Sequence, residues 1–118
     1  MKNGMDNYYK YEVGFGDCDA YQIAHNARYV QWFEQGIYKY FMADKETLLK
    51  DKRLIFTEIR YRYLHAIKFG DRIEIYTDIK KDKNDRSLYE FYQTILKEES
   101  KKIVSICKGI VRVQEKNI

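Results

Sequence analysis

Hydrophobic positions recur every second residue at the front and back of this chain, and every third or fourth residue in between. Over residues 8 to 15, Tyr9, Tyr11, Val13 and Phe15 share one face and Lys10, Glu12 and Gly14 the other, which is the period of a half-buried strand. Residues 16 to 25 read as a connecting loop. Over 26 to 43 the period lengthens to that of a helix, with Val30, Phe33, Ile37, Tyr40 and Phe41 in one stripe. Tyr29, Trp32 and Gly36 widen the stripe, and Gln31, Gln35 and Lys39 mark the wet side. Gly36 costs a helix interior ~1 kcal/mol relative to Ala, which close packing against a strand would offset. Asp44 is placed to cap a short second helical segment, KETLLKD.

Beyond residue 52 the alternation returns. Ile55, Thr57, Ile59, Tyr61 and Tyr63 alternate with Glu58, Arg60 and Arg62; Ile73, Ile75, Thr77 and Ile79 alternate with Arg72, Glu74, Asp78 and Lys80. Phe69-Gly70-Asp71 reads as the turn between these strands, KDKNDR as a hairpin loop, 87 to 97 as a further strand and ESKK as the next turn. Ile103, Val104, Ile106, Ile110, Val111 and Val113 are apolar on both faces of the last strand, which predicts that it is central or covered on both sides. The order predicts an α+β domain spanning 1–118, a curved antiparallel sheet of about five strands around one long helix. One helix covers only one face of such a sheet. Tyr76, Tyr89 and Phe91 are expected on the other face, where self-association would cover some of them.

With 45% hydrophobic residues, a chain of 118 residues can build a core, and the composition argues against disorder. The excess of 22 basic over 18 acidic residues, a net charge of +4, is too mild to indicate nucleic acid. It suits an anionic small ligand as well as it suits ordinary solubilising charge. Cys18 and Cys107 match no metal spacing and are too few for a disulfide scaffold. Reduced thiols in the cytoplasm are expected, with no metal and no cofactor. The start, MKNGMDNYYK, is polar and unlike a signal peptide, and no apolar run has the length to cross a bilayer. Neither nucleic acid nor membrane is an expected partner.

The chemistry concentrates in GDCDAYQIAHNARYVQWFEQG, residues 16 to 36. Asp17 and Asp19 precede a helix whose first turn, Ala27, Arg28 and Tyr29, carries no acid. A helix start has unpaired N–H groups and a partial positive charge, usually answered by Asp or Glu. Left open, it can stabilise developing negative charge while a neighbouring carboxylate attacks or activates water. Asp19 can alternatively serve as a loop acceptor for backbone amides, and Asp17 is expected in that structural role. Asn26 can cap the helix with its side chain and offer its backbone N–H to an oxyanion. His25 can act as a general base or as a solvated flank of the helix. Cys18, between two acids, is a poor nucleophile.

These residues resemble the hotdog-fold thioesterases, in particular the 4-hydroxybenzoyl-CoA thioesterase family. The resemblance rests on the segment above and on FTEIRYRYLHAIKFGDRIEIYT, similar to the family's strand, loop and Gly-Asp turn. It implies a sheet wrapped around the long helix, homodimers or homotetramers with sites at the dimer interface, and hydrolysis of acyl-CoA thioesters. Asp19 would be the base or nucleophile, and the amide at Asn26 the oxyanion donor. Tyr29, ten residues after Asp19, is a candidate to line the substrate. Lys83 and Arg86, with Lys68 and Lys81, are candidates for the coenzyme A phosphates, and Ser87 beside them for a further substrate contact. The chain departs from the family pattern at Gln22, where many relatives carry Gly, at His25, where close relatives often carry Asn, and near Ala66, where relatives often carry Pro. The same residues leave open an acyl-carrier-protein thioesterase and a non-catalytic acyl-CoA-binding module. A module of that kind would have no need of the acid pair.

Overall fold

The computed structural model describes residues 8–42 and 52–115. Its elements are β1 (Tyr8–Glu12), a 3-10 turn (Phe15–Asp17), α1 (Asn26–Met42), β2 (Lys52–Tyr63), β3 (Arg72–Lys81), β4 (Leu88–Lys97) and β5 (Ile103–Glu115). The strands form one antiparallel sheet in the order β1-β3-β4-β5-β2. The doubly apolar β5 is indeed paired on both sides, by β4 and β2. The segment KETLLKD and its Asp44 cap lie outside the described residues.

Helix α1 buries Phe33, Ile37 and Phe41 against Ile73 and Ile75 of β3, Phe91 and Ile95 of β4, and Cys107 and Val111 of β5. Burial pushes the Cys107 thiol up to about 12, so it is an inert filler of this core. Two polar tethers fix how the helix lies. The Tyr9 hydroxyl donates to the Trp32 carbonyl at 2.6 Å, and Gln93 Nε2 donates to the Phe33 carbonyl at 2.7 Å and to Thr77 Oγ1 at 3.0 Å. Gly36 sits over this last pair. A Cβ there would stand 2.5 Å from Thr77 Oγ1 and 2.8 Å from Gln93 Nε2. Helix propensity alone would make Gly36→Ala stabilising by ~1 kcal/mol; overpacking a buried polar contact costs ~1–3 kcal/mol. The second effect is expected to win, lowering the urea midpoint of Gly36→Ala, and a raised midpoint would show that the helix does not approach the sheet this closely.

Three details differ from the simple alternation. Tyr89 and Phe91 face the helix, edge-on to Phe41 and Phe56 respectively, leaving only Tyr76 of the expected trio on the outer face, where it stacks on Tyr8. In β2 a bulge between Phe56 and Glu58 switches the inward parity. Leu54 and Phe56 pack inward before it, and Ile59 and Tyr61 after it. Phe15, read as the end of the first strand, is 77% exposed because the chain turns at Gly14. The sheet ends in the short β1 on one side and on the other in the 12-residue β2, whose outer edge has no strand beside it among the described residues.

Candidate active site

The segment between β1 and α1 is built around the Asp17 carboxylate. The Gly14 N–H donates to Asp17 Oδ2 at 2.8 Å and the Tyr11 hydroxyl donates to the same oxygen at 2.7 Å. Arg28 Nε lies 3.4 Å from Oδ1. Asp17 is buried, and three partners account for its charge, as a structural anchor requires. The hydrogen bond donated to this carboxylate is the main reason the Tyr11 hydroxyl titrates above its ordinary range.

Beyond Asp17 the chain doubles back on itself. Cys18 bridges Ala24, the Asp19 N–H donates to the Ile23 carbonyl at 3.0 Å, and the His25 N–H donates to the Asp17 carbonyl at 2.9 Å. The reversal is closed by Asp19 itself. Its Oδ1 accepts from the amides of Tyr21 at 2.8 Å and Ile23 at 3.2 Å, the Asx geometry that Asp favours in turns. Gln22 lies in the left-handed region, φ 63°, which costs a side-chain-bearing residue roughly 1 kcal/mol and accounts for glycine being the residue expected there. The hairpin sets Asp19 opposite Ile23, Cys18 opposite Ala24 and Asp17 opposite His25, on the run-in to α1. Asp19 Oδ2 makes no hydrogen bond among the described residues. Asp19, His25 and Asn26 are all exposed.

The helix start is open, as its sequence predicts. No acid occupies the first turn of α1. The Asn26 N–H has no intrahelical acceptor and forms no hydrogen bond among the described residues. A second loop braces this end. The Ala24 N–H donates to the Ile67 carbonyl at 2.8 Å, the Phe69 N–H to the Gln22 carbonyl at 3.0 Å, and the Gly70 N–H to the Val13 carbonyl at 2.9 Å. Tyr29 belongs to the brace: its ring is buried, and its hydroxyl accepts from the Ile67 N–H at 3.1 Å. Phe15 meets Phe69 edge-on with centroids 6.0 Å apart, and with exposed Tyr21 they give this end an apolar rim. Burial first, and then the charges of Asp17, Asp19 and Asp71, push the Cys18 thiol up, consistent with a thiol that does not attack.

The basic candidates lie elsewhere. Arg86 and Ser87 line a groove of about 540 Å³ with Lys52, Lys81 and Arg112 at the far end of the sheet; exposed Lys83 stands outside it. The hairpin is held by Asp85, whose Oδ1 accepts from the Ser87 hydroxyl at 2.6 Å and amide at 2.9 Å, while Arg112 Nη1 donates to the Ser87 hydroxyl at 2.8 Å. Those bonds from Ser87, and then the Arg112 charge, hold the Asp85 carboxyl below its usual range. Lys52, Lys81 and Arg112 come from three strands distant in sequence, so no local motif announces that they meet. The expected site residues therefore form two groups, Asp19 with His25 and Asn26 at one end of α1, and Arg86 with Ser87 at the other.

A family model described as the thioesterase-like superfamily matches residues 13–115. No curated protein matches the chain. Among solved structures, a 1,4-dihydroxy-2-naphthoyl-CoA thioesterase from Synechocystis is 14% identical, with a TM-score of 0.78 over 92% of this chain and 82% of that one. A gentisyl-coenzyme A thioesterase is 18% identical, TM-score 0.79, over 93% of this chain and 89% of its own. A hypothetical protein from Staphylococcus aureus, solved in complex with CoA, is 17% identical, TM-score 0.81, over 94% and 71%. At these identities the likeness is one of fold, a hotdog-type sheet and helix.

Proposed function

The chain belongs to the thioesterase-like superfamily, and we propose that it hydrolyses an acyl-CoA thioester to the free acid and coenzyme A. What supports the reading is the hairpin of residues 17 to 25, which leads into an open helix start and carries, at Asp19, a carboxylate with one oxygen free of hydrogen bonds among the described residues. Asp19 Oδ1 is held by two amides, so the charge is aimed while Oδ2 is left to react. In one route Oδ2 takes a proton from water as the water oxygen bonds to the carbonyl carbon. In the other it bonds to that carbon directly, and water then cleaves the mixed anhydride. Both routes place negative charge on the carbonyl oxygen, facing the Asn26 N–H and the helix dipole. Collapse breaks the C–S bond, and the thiolate leaves to be protonated. The apolar rim of Phe15, Tyr21 and Phe69 suits an acyl or aryl group. Tyr29 acts through the Ile67 loop and does not touch substrate.

The carrier's phosphates belong in the cationic groove of a second copy. β2 is a long edge strand with no neighbour on its outer side among the described residues, and antiparallel pairing of β2 with its own copy sets the Tyr63 end of one protomer beside the Lys52 end of the other. Tyr63 packs edge-on to Tyr29 at 4.9 Å, near the helix start, and Lys52 lines the groove. A two-fold dimer of this kind reunites the two groups of site residues. Thiol release measured over a panel of acyl-CoAs, acyl-carrier-protein substrates and short thioesters without a nucleotide tests this function. Turnover of acyl-CoA is expected, and binding without turnover across the panel would leave only a ligand-binding module. Arg86→Ala is expected to raise KM for acyl-CoA roughly tenfold, the worth of one charge-assisted contact, with little change for the short thioesters. Equal effects on both substrate types would remove the groove from carrier binding.

A further inference from the structure

The first turn of α1 breaks the rule that governs helix starts. It carries no acid, and Arg28 puts a cation where the helix dipole favours an anion. Arg28 stands three residues after His25, the position from which a Glu or Gln commonly reaches back to complete a capping box. The guanidinium is nevertheless held in place. Its Nη1 donates to Gln31 Oε1 at 2.6 Å, and its Nε lies 3.4 Å from Asp17 Oδ1. The Asp17 side chain is only 10% exposed. Its Oδ2 is taken by the Gly14 N–H and the Tyr11 hydroxyl, so Arg28 is the one partner of Oδ1 among the described residues. A sequence suited to the helix alone would place Glu at 28, and that carboxylate would then face a buried carboxylate.

Three contacts then close a ring that includes Asn26. The His25 N–H donates to the Asp17 carbonyl at 2.9 Å, the Arg28 N–H donates to the His25 carbonyl at 2.9 Å, and the guanidinium returns to the Asp17 carboxylate. Asp19, two residues beyond Asp17, is pinned to the same ladder by its N–H to the Ile23 carbonyl at 3.0 Å. Tyr11 and Gly14 extend the ring to β1 and the turn after it. Local rules are expected to fail where a site demands it, and here the broken rule supplies the side chain that ties the helix start to the hairpin. We propose that Arg28 is a positioning residue for thioester hydrolysis, acting through Asp17 to hold the Asn26 amide and the Asp19 hairpin in one fixed relation. The inference rests on the hydrolytic reading above and assigns Arg28 no contact with substrate. Without the clamp, substrate still binds, but the amide and the carboxylate are no longer presented together. The loss therefore falls on kcat and not on KM.

The test compares the full-length wild type with Arg28→Lys, Arg28→Gln, Asp17→Asn and the double variant Arg28→Gln with Asp17→Asn. Each is assayed for thiol release and for amide hydrogen exchange at His25, whose N–H reports the contact with the Asp17 carbonyl. Arg28→Gln is expected to lower kcat roughly 10–100-fold, the cost of misplacing groups from a distance, with KM unchanged and His25 exchange faster. Arg28→Lys keeps the charge, but one ammonium cannot serve Asp17 and Gln31 together as the guanidinium does. It is expected to recover part of both losses. In the Asp17→Asn background, Arg28→Gln is expected to lower kcat no further. Additive losses would show that Arg28 meets substrate directly, and a wild-type kcat in folded Arg28→Gln would reduce it to a counter-ion; either overturns the proposal. The Arg28 side chain is 39% exposed, so its single variants are expected to fold, and they decide the matter even where Asp17→Asn does not fold. A wild type that releases thiol from no thioester ends the hydrolytic reading and the role of Arg28 with it. Failure of the proposal alone looks different: an active enzyme whose kcat ignores Arg28.

Discussion

Asp19→Asn is expected to lower kcat for acyl-CoA hydrolysis by roughly 10²–10⁴-fold, the range over which a positioned base or nucleophile contributes, while KM and the urea midpoint stay near wild type. The substitution is selective because of how the turn uses this side chain. Oδ1 accepts from the Tyr21 and Ile23 amides, and an asparagine carbonyl oxygen accepts the same two bonds in the same geometry. The hairpin therefore closes as before, and the helix start stays where it is. What disappears is the charge and basicity of the exposed oxygen. Loss of a merely structural aspartate would instead shift the midpoint and leave kcat alone. A folded Asp19→Asn protein that hydrolyses at near-wild-type rate would end the catalytic assignment. His25 supplies the comparison: an unchanged pH–rate profile in His25→Ala would remove its imidazole from the chemistry and leave the carboxylate as the group in play.

Much of this site was legible in the sequence because local rules decide it. The missing acid in the first turn of α1 is a property of residues 27 to 29 alone, and the Asp17–Asp19 pair in a loop follows from turn chemistry. The helix stripe and the alternation of Ile73, Ile75, Thr77 and Ile79 are similarly local, and Ile73, Ile75 and Thr77 are buried as expected. The face of β4 was not legible. That strand has aromatic residues on both parities, Tyr89 and Phe91 against Tyr92, and places a polar residue, Gln93, among the fully buried ones. Burial of Gln93 is decided by the Phe33 carbonyl, sixty residues away, and no window along β4 contains that partner. The cationic groove was half legible for the same reason. Arg86 and Ser87 are neighbours in one hairpin, but Arg112 arrives from β5 by the β4–β5 register, which sets it opposite Leu88.

The β2 bulge is the other long-range feature, and it leads to the largest stability effect expected in the chain. Gly109 lies on β5 opposite Phe91 of β4 and Ile59 of β2. A Cβ at Gly109 would fall on the carbonyl oxygen of Glu58, well inside van der Waals contact, and 2.7 Å from the Phe91 ring. Unlike the side-chain tips around Gly36, the Glu58 carbonyl is backbone fixed by the bulge, so no rotamer relieves the clash. Expelling the bulge would free the space, but the register of β2 beyond it would slip by one residue. Such a slip turns every side chain to the other face, driving Glu58, Arg60 and Arg62 toward the helix and Ile59 and Tyr61 out to solvent. Gly109→Ala is therefore expected to cost ~3 kcal/mol or more, the upper end of overpacking penalties and a large share of the ~5–15 kcal/mol that holds a domain of this kind together. A lowered urea midpoint with an unchanged slope would report the clash as lost stability. A midpoint within the ~0.5 kcal/mol expected of a neutral surface change would mean that β2 does not bulge against β5, and that the inward parity of Phe56 and Ile59 has another cause.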